Sequence, residues 1–314
     1  MRLSLIVVAD GTPEQVRAAL ESACSARTAA RCAAQCEILV AGASEEAGDP
    51  MAEALSGFAG DFRSIQGSLT EPGPLLNGAL AAARGAYVLM IEAHERISAG
   101  ALDRHLEALE GEPELVASYG RTAVQRGGQV RVRPEHGKGG PVFNRLLKEK
   151  HLVSSTASLV WRRDALVNGA EPFPGVERRS ASRGVPACAD YCSPAARRLD
   201  LCFKLASRGE FTFHPAVVAE RSDETLEIPA LKELVKVLLG VLYGHASLEE
   251  KPEQRARFRL ARHLVAIGKL YYRAEDYRHA KTFFDEALKA APGYFKGRRY
   301  QFLNFVKNTL ARES

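Results

Sequence analysis

Asn77-Gly-Ala-Leu-Ala-Ala-Ala-Arg-Gly-Ala-Tyr-Val-Leu-Met-Ile-Glu92-Ala93-His94-Glu95 is the stretch on which the fold turns. Its Ala-rich first part belongs to a helix expected over Pro74 to Arg84, with Gly85 read as its C-cap. Tyr87 to Ile91 is an unbroken apolar run of β-prone residues, which predicts a strand buried on both faces. A helix feeding such a strand is half of a parallel βαβ unit. The strand ends in the polar turn Glu92-Ala93-His94-Glu95, and in open α/β sheets ligands gather beyond the C-terminal strand ends.

Upstream, the same alternation repeats. Leu3 to Val8 reads as a strand, and Asp10-Gly11-Thr12-Pro13-Glu14 as a turn into a helix with Thr12 as N-cap. Glu37 to Ala41 is a second strand, ended by Gly42. A helix near Pro50 to Phe58 and a short strand at Phe62 to Ile65 follow. Downstream, Ser98-Ala-Gly-Ala-Leu opens a helix reaching Leu109. A mostly parallel sheet with helices on both faces is expected, its strand ends carrying Ala9-Asp10-Gly11, Ala41-Gly42-Ala43 and Glu92 to Glu95. Arg126-Gly-Gly-Gln predicts a hairpin turn. Pro134 to Pro141 reads as a mobile loop and Val153 to Trp161 as a strand. Glu171 to Pro194 is irregular. Leu199 to Ser207 is helical, Phe211 to Phe213 and Val217 to Glu220 are short strands, and the chain after Pro229 is all helical.

The 314 residues are 46% hydrophobic and 26% charged, which excludes intrinsic disorder and allows a core without disulfides. No run of apolar residues is long enough for a membrane span, and the opening strand meets Asp10 too early for a signal peptide. A cytoplasmic location with reduced thiols is therefore expected. The net charge of +5 is segregated: −9 over residues 1–114, +7 over 115–225 and +7 over 226–314. The basic surplus suits an anionic acceptor, a membrane face or a protein partner, and no motif supports nucleic acid.

The first half resembles glycosyltransferase family 2, the inverting nucleotide-sugar transferases with a GT-A fold. The opening strand and Pro-started helix, the stretch from Asn77 to Glu95, Ser154-Ser155-Thr156 to Arg163, Asn168-Gly169 to Phe173, and Leu199-Asp200 to Gly209 carry the likeness, over roughly residues 1–225. In that family an Asp-x-Asp at the strand end holds a divalent cation against the leaving diphosphate, and a later Asp is general base. The resemblance implies Glu92, His94 and Glu95 as ligands of Mn²⁺ or Mg²⁺ if the chain is active. It implies Asp10 and Asn77 near the nucleotide, and Asp190 or Asp200 as base. Several stations depart from the family. The loop after the second strand reads Ala41-Gly42-Ala43-Ser44, without an acid. Arg197-Arg198 stands where the family has Glu-Asp. Glu92 to Glu95 can equally be a polar turn, Asp10 a turn cap, and Arg197-Arg198 the solvated face of a helix start or a grip on phosphate. Cys32 and Cys36, like Cys188 and Cys192, share a spacing that permits metal but read as incidental thiols.

Residues 261–294 resemble one tetratricopeptide repeat, with Leu264, Ile267, Gly268, Tyr271, Tyr277, Ala280, Phe284, Ala287 and Pro292 at its signature positions. Small residues where helices cross and aromatics between them explain the pattern. One repeat cannot bury its own faces, so helices from Ala230 to Tyr243 and from Tyr294 to Leu310 must flank it, or the repeat leans on the first domain. The expected architecture is a GT-A-like α/β domain, 1–225, followed by an all-α tetratricopeptide-like domain, 226–314. The expected function is transfer of a sugar from a nucleotide-sugar donor to an unknown acceptor. The alternative is a catalytically inactive scaffold that binds a protein partner through residues 226–314.

Overall fold

The structure is a computed structural model that describes residues 1–43, 49–58, 60–134, 136–149, 152–167, 191–222, 226–244 and 248–313. The described residues fall into two units, one reaching residue 222 and the other starting at 226.

The first unit is built on a sheet centred on β1 (Leu3–Val8), all of whose side chains are buried. It lies between β2 (Cys36–Ala41) and β4 (Tyr87–Glu92) and is parallel to both. Three apolar runs without alternation must be interior strands, because each face needs a cover. The register sets Val8 opposite Ala41 on one side and Glu92 on the other, so the three strand ends finish level. β3 (Arg63–Ile65) extends the sheet beyond β2.

Past β4 the expected parallel order gives way to a mixed one. The path continues through β8 (Leu159–Arg162), β6 (Leu115–Arg126), β9 (Glu210–Ser222) and β5 (Glu95–Ile97). β8 runs antiparallel to both its neighbours, β6 and β9 are parallel, and β5 is antiparallel to β9. β7 (Gln129–Arg133) hairpins onto β6 through Gly127 and Gly128, both at positive φ, as the Gly-Gly turn predicts. Only Ala93 and His94 separate β4 from β5, yet the two strands lie four places apart along the path. The sheet therefore curls back on itself, and the turn from Glu92 to Glu95 is the corner where it closes.

Helices cover this sheet. In α1 (Pro13–Ala29) Thr12 and Gln15 form a reciprocal capping box. Val16, Ala19, Leu20, Ala23 and Ala26 make its buried stripe and join the core with Leu3, Leu5 and Val7. α2 (Pro50–Leu55), α3 (Pro72–Ala82), α4 (Ala101–Gly111), α5 (Phe143–Lys148), α6 (Asp164–Val167) and α7 (Pro194–Ala206) complete the unit.

Four local expectations need correction. Gly85 is no cap, because α3 ends at Ala82; a Cβ on Gly85 would lie 2.5 Å from the Ser4 backbone nitrogen, so close passage beside β1 demands glycine. The stretch from Val153 to Ser158 is not strand: a 3₁₀ turn over Thr156–Ser158 precedes β8, and a buried carboxylate takes its amides. Phe211 to Glu220 is one strand, β9, whose register slips twice past Gly120 and Arg121. The loop expected to be mobile is tied down: Lys138 O accepts from Tyr119 Oη at 2.8 Å, and Gly140 N donates to Phe211 O at 2.7 Å.

The second unit holds α8 (Ile228–Gly244), α9 (Glu250–Arg273), α10 (Tyr277–Ala290) and α11 (Phe295–Glu313). α9 packs against the other three. A Cβ on Gly268 would meet the Phe284 ring at 2.5 Å, so α9 and α10 cross where one side has no side chain. Phe284 is fully buried there with Ala280 and Ala287, and Tyr271 stacks on Phe283 and His279. Among the described residues no helix is long and apolar enough to cross a membrane.

Candidate functional site

The level strand ends place Asp10, two residues past β1, beside Glu92, the last residue of β4. Asp10 Oδ1 accepts from Ala93 N at 3.1 Å, which fastens the first strand end to the closing corner. Glu92 is completely buried. Burial pushes its carboxyl up to about 8, against the pull of Arg197 and with reinforcement from Glu95 and Asp10.

A guanidinium fills the space between the two acids. Arg197 lies in the first turns of α7 and its side chain is only 6% exposed. Its Nη2 donates to Asp10 Oδ2 and to Glu92 Oε1, the latter at 3.2 Å, and Nε reaches the same Glu92 oxygen at 3.4 Å. Nη1 donates to Cys192 O at 2.8 Å and Tyr191 O at 3.3 Å. Burial opposes the arginine charge, and Glu92 and Asp10 more than restore it. The solvated-face reading of Arg197-Arg198 is thus corrected: both are buried. The sign of it was in the sequence. Ala195, Ala196, Leu199, Leu201, Cys202 and Phe203 surround the pair on α7, and an arginine on a helix apolar on most sides must find an acid.

Glu92, His94 and Glu95 come together as expected, each offering an atom within 4.8 Å of the others. Their availability differs. Glu95 is wholly buried and already committed: Oε1 accepts from Thr156 N at 3.0 Å, and Oε2 accepts from Thr156 Oγ1 at 2.6 Å, Ala157 N at 3.0 Å and Glu92 N at 3.3 Å. It braces the corner against the 3₁₀ turn before β8. Glu92 Oε2 and His94 Nε2 are different: both are buried atoms without a hydrogen-bond partner, 3.9 Å apart. Two buried, unpartnered atoms this close, one on a carboxyl group and one on an imidazole, fit a divalent cation that displaces the Glu92 proton. Glu95 adds little to that donor set.

The remaining candidates scatter. Asp190 lies outside the described residues. Asp200 is on α7, one turn beyond Arg197, and pairs with Lys204 at 2.7 Å. Asn77 is half-buried on α3, which packs on β2 and β3. Of the cysteines, Cys32 and Cys36 are buried with their sulfurs 3.3 Å apart, and burial raises the Cys36 thiol to about 12, which keeps it an inert thiol.

No family model and no curated protein matches this sequence. Solved structures do resemble it. S. aureus TarS 1-349 in complex with UDP-GlcNAc superposes with a TM-score of 0.62 at 14% identity, over 100% of this chain and 93% of that one. A longer S. aureus TarS structure gives 0.60 at 14% identity over 97% of this chain, which spans only 54% of it. GalNAc-T7 with UDP, GalNAc and Mn²⁺ gives 0.52 at 12% identity, over 94% of this chain and 58% of that one. At such identities the likeness shows the fold: an α/β, GT-A-like architecture with C-terminal helices.

Proposed function

We propose that this chain transfers a sugar from a UDP-sugar to an acceptor. The observation that carries the reading is the corner where β1 and β4 end: Asp10, Glu92 and His94 beside the buried Arg197, on a fold shared with a structure that holds UDP-GlcNAc. A departing nucleoside diphosphate gathers negative charge, and a fixed guanidinium beside donor atoms open to a cation can stabilise that charge. Glu92 and His94 would hold a divalent cation there, which supplies part of that charge stabilisation when bound. Arg197 contributes a fixed positive charge on the same side. Asp10 and Asn77 are assigned to the nucleotide side. Asp200 or Asp190 would take the proton of the acceptor hydroxyl, and Asp200 must first leave Lys204 to do so.

Ligands that bind only the native state raise its melting midpoint. With UDP or UDP-GlcNAc at about 100 times its Kd, the full chain should gain about 2.7 kcal/mol, read as a rise of several degrees. Mn²⁺ should enlarge that rise in the parent and not in a Glu92→Gln, His94→Ala double variant. A midpoint unmoved by millimolar UDP, with or without Mn²⁺, would sink the UDP-sugar reading.

We also propose a second role for the helical unit, as a partner surface. α11 leaves Phe295 74% exposed, and Phe302 and Phe305 66% each. The last two line a groove of about 320 Å³ with Lys281, Arg298, Gln301, Asn304 and Asn308. Exposed aromatics beside cations suit an acidic protein segment or an anionic membrane face. Replacing Phe302 and Phe305 by serine should change stability by less than about 0.5 kcal/mol, because little burial is lost. The same change should weaken co-sedimentation with phosphatidylserine vesicles if the membrane face is the partner. Equal co-sedimentation of the two proteins would remove α11 from that role.

A further inference from the structure

The Arg197 guanidinium stands where a cation would balance Asp10 and Glu92. It comes from α7, an element that contributes to neither strand end, and it reaches both acids at once. Four acceptors hold it: the two carboxylates and the carbonyls of Tyr191 and Cys192. With 6% of its side chain exposed, it is a fixed charge rather than a surface arginine that swings. The open donors, Glu92 Oε2 and His94 Nε2, lie on the far side of the same carboxylate whose Oε1 the guanidinium holds. A divalent ion at those donors would sit within a few ångströms of a full positive charge, in a buried site where such repulsion is weakly screened.

We propose that Arg197 is a built-in competitor of the divalent cation: in the free chain its guanidinium pairs with Asp10 and Glu92, and it holds the affinity of Glu92 and His94 for a metal ion low. This rests on reading the corner of Asp10 and Glu92 as the cation and diphosphate end of a transferase site. One carboxylate cannot serve both cations at full strength. A cation gains a hold when Arg197 is drawn to another anion, and the oxygens of a diphosphate are such an anion. The arginine thereby makes metal binding conditional on nucleotide. Without nucleotide, Arg197 already pairs with both acids, and the corner holds together with no metal.

The test is a Mn²⁺ titration of the full chain without nucleotide, followed by the loss of the paramagnetic resonance signal of free Mn²⁺. The parent should bind weakly, in the millimolar range or beyond. Arg197→Gln, which removes the charge and keeps donor groups, should bind Mn²⁺ on the order of a hundredfold more tightly. Arg197→Lys, which keeps a cation in place, should behave as the parent does. Equal Mn²⁺ affinity in the parent and Arg197→Gln overturns the proposal. If Arg197→Gln fails to fold, the parent still decides: micromolar Mn²⁺ binding that Glu92→Gln abolishes overturns the proposal, and millimolar binding upholds it. No arm of this titration uses nucleotide. Failure of UDP to bind counts against the transferase reading, and failure of the Mn²⁺ contrast counts against Arg197 alone.

Discussion

Replacing Glu95 by alanine is expected to cost about 3–5 kcal/mol of stability, the range for removing one partner from a buried charged pairing. The carboxylate is wholly buried, and four donors converge on it: the amides of Glu92, Thr156 and Ala157 and the Thr156 hydroxyl. Truncation strands all four away from water, and each orphaned buried donor costs about 1–3 kcal/mol before relaxation. The loss falls on the corner where the sheet closes, so the urea midpoint should drop without a change in the secondary structure of the helical unit. Glu95→Gln should fall between, because its oxygen still accepts while its amide is forced against a donor. The measurement is urea denaturation of the full chain followed by circular dichroism. A midpoint for Glu95→Ala within about 0.5 kcal/mol of the parent, the range of an ordinary surface change, would show that the brace is not Glu95.

This outcome separates two roles that the sequence leaves fused. Glu92, His94 and Glu95 are neighbours in one turn, and residue type alone makes all three plausible ligands. The structure distributes them. Glu95 points to the 3₁₀ turn at Thr156, while Glu92 and His94 keep buried atoms open. The difference depends on where residue 156 lies relative to residue 95, and a single sequence does not encode that contact in any local pattern. Arg197 illustrates the same limit from the other side. Its burial could be inferred from the apolar residues of α7, but its partners are 187 and 105 positions away.

What was legible follows from short-range physics. The strands β1, β2 and β4 are mostly apolar, interrupted only by Ser4, Glu37 and the terminal Glu92, and each forms where its run is. Thr12 caps α1 because hydroxyl, proline and Gln15 lie at fixed offsets. The Gly127-Gly128 turn reads directly from the need for positive φ. The errors lie where tertiary contacts overrule local preference. Val153 to Ser158 leads into the β-prone run Leu159 to Trp161 but surrenders two amides to Glu95, and Gly85 answers to the backbone of Ser4 rather than to its own helix. The antiparallel half of the sheet is hidden from local pattern for a related reason: strand order is a long-range property, and local alternation of strands and helices suggests only the parallel half.

The acid limb of the stability curve should carry the mark of one residue, His105. It lies on α4, fully buried, with Nδ1 2.9 Å from Ser118 Oγ and no hydrogen-bond partner for Nε2. Burial, seconded by the charge of His214, lowers its pKa from 6.5 to about 3. The folded chain therefore keeps His105 neutral, whereas the unfolded chain takes up a proton below about pH 6.5. Protons favour the unfolded state throughout that window. The contribution of His105 is fully present above pH 6.5, falls steadily as the pH drops, and is gone near pH 3. A shift of that size corresponds to at most about 5 kcal/mol. Carboxylates titrate over the lower part of the same range, so the decisive quantity is the difference between the parent and His105→Asn. Asparagine can keep the hydrogen bond to Ser118 and has no proton to gain. The variant should be less stable than the parent at pH 8, where packing alone is changed, and the gap should close or reverse by pH 4. Urea midpoints measured at pH 8, 6.5, 5 and 4 follow it. Two curves that stay parallel across those values would mean that His105 does not set the acid limb.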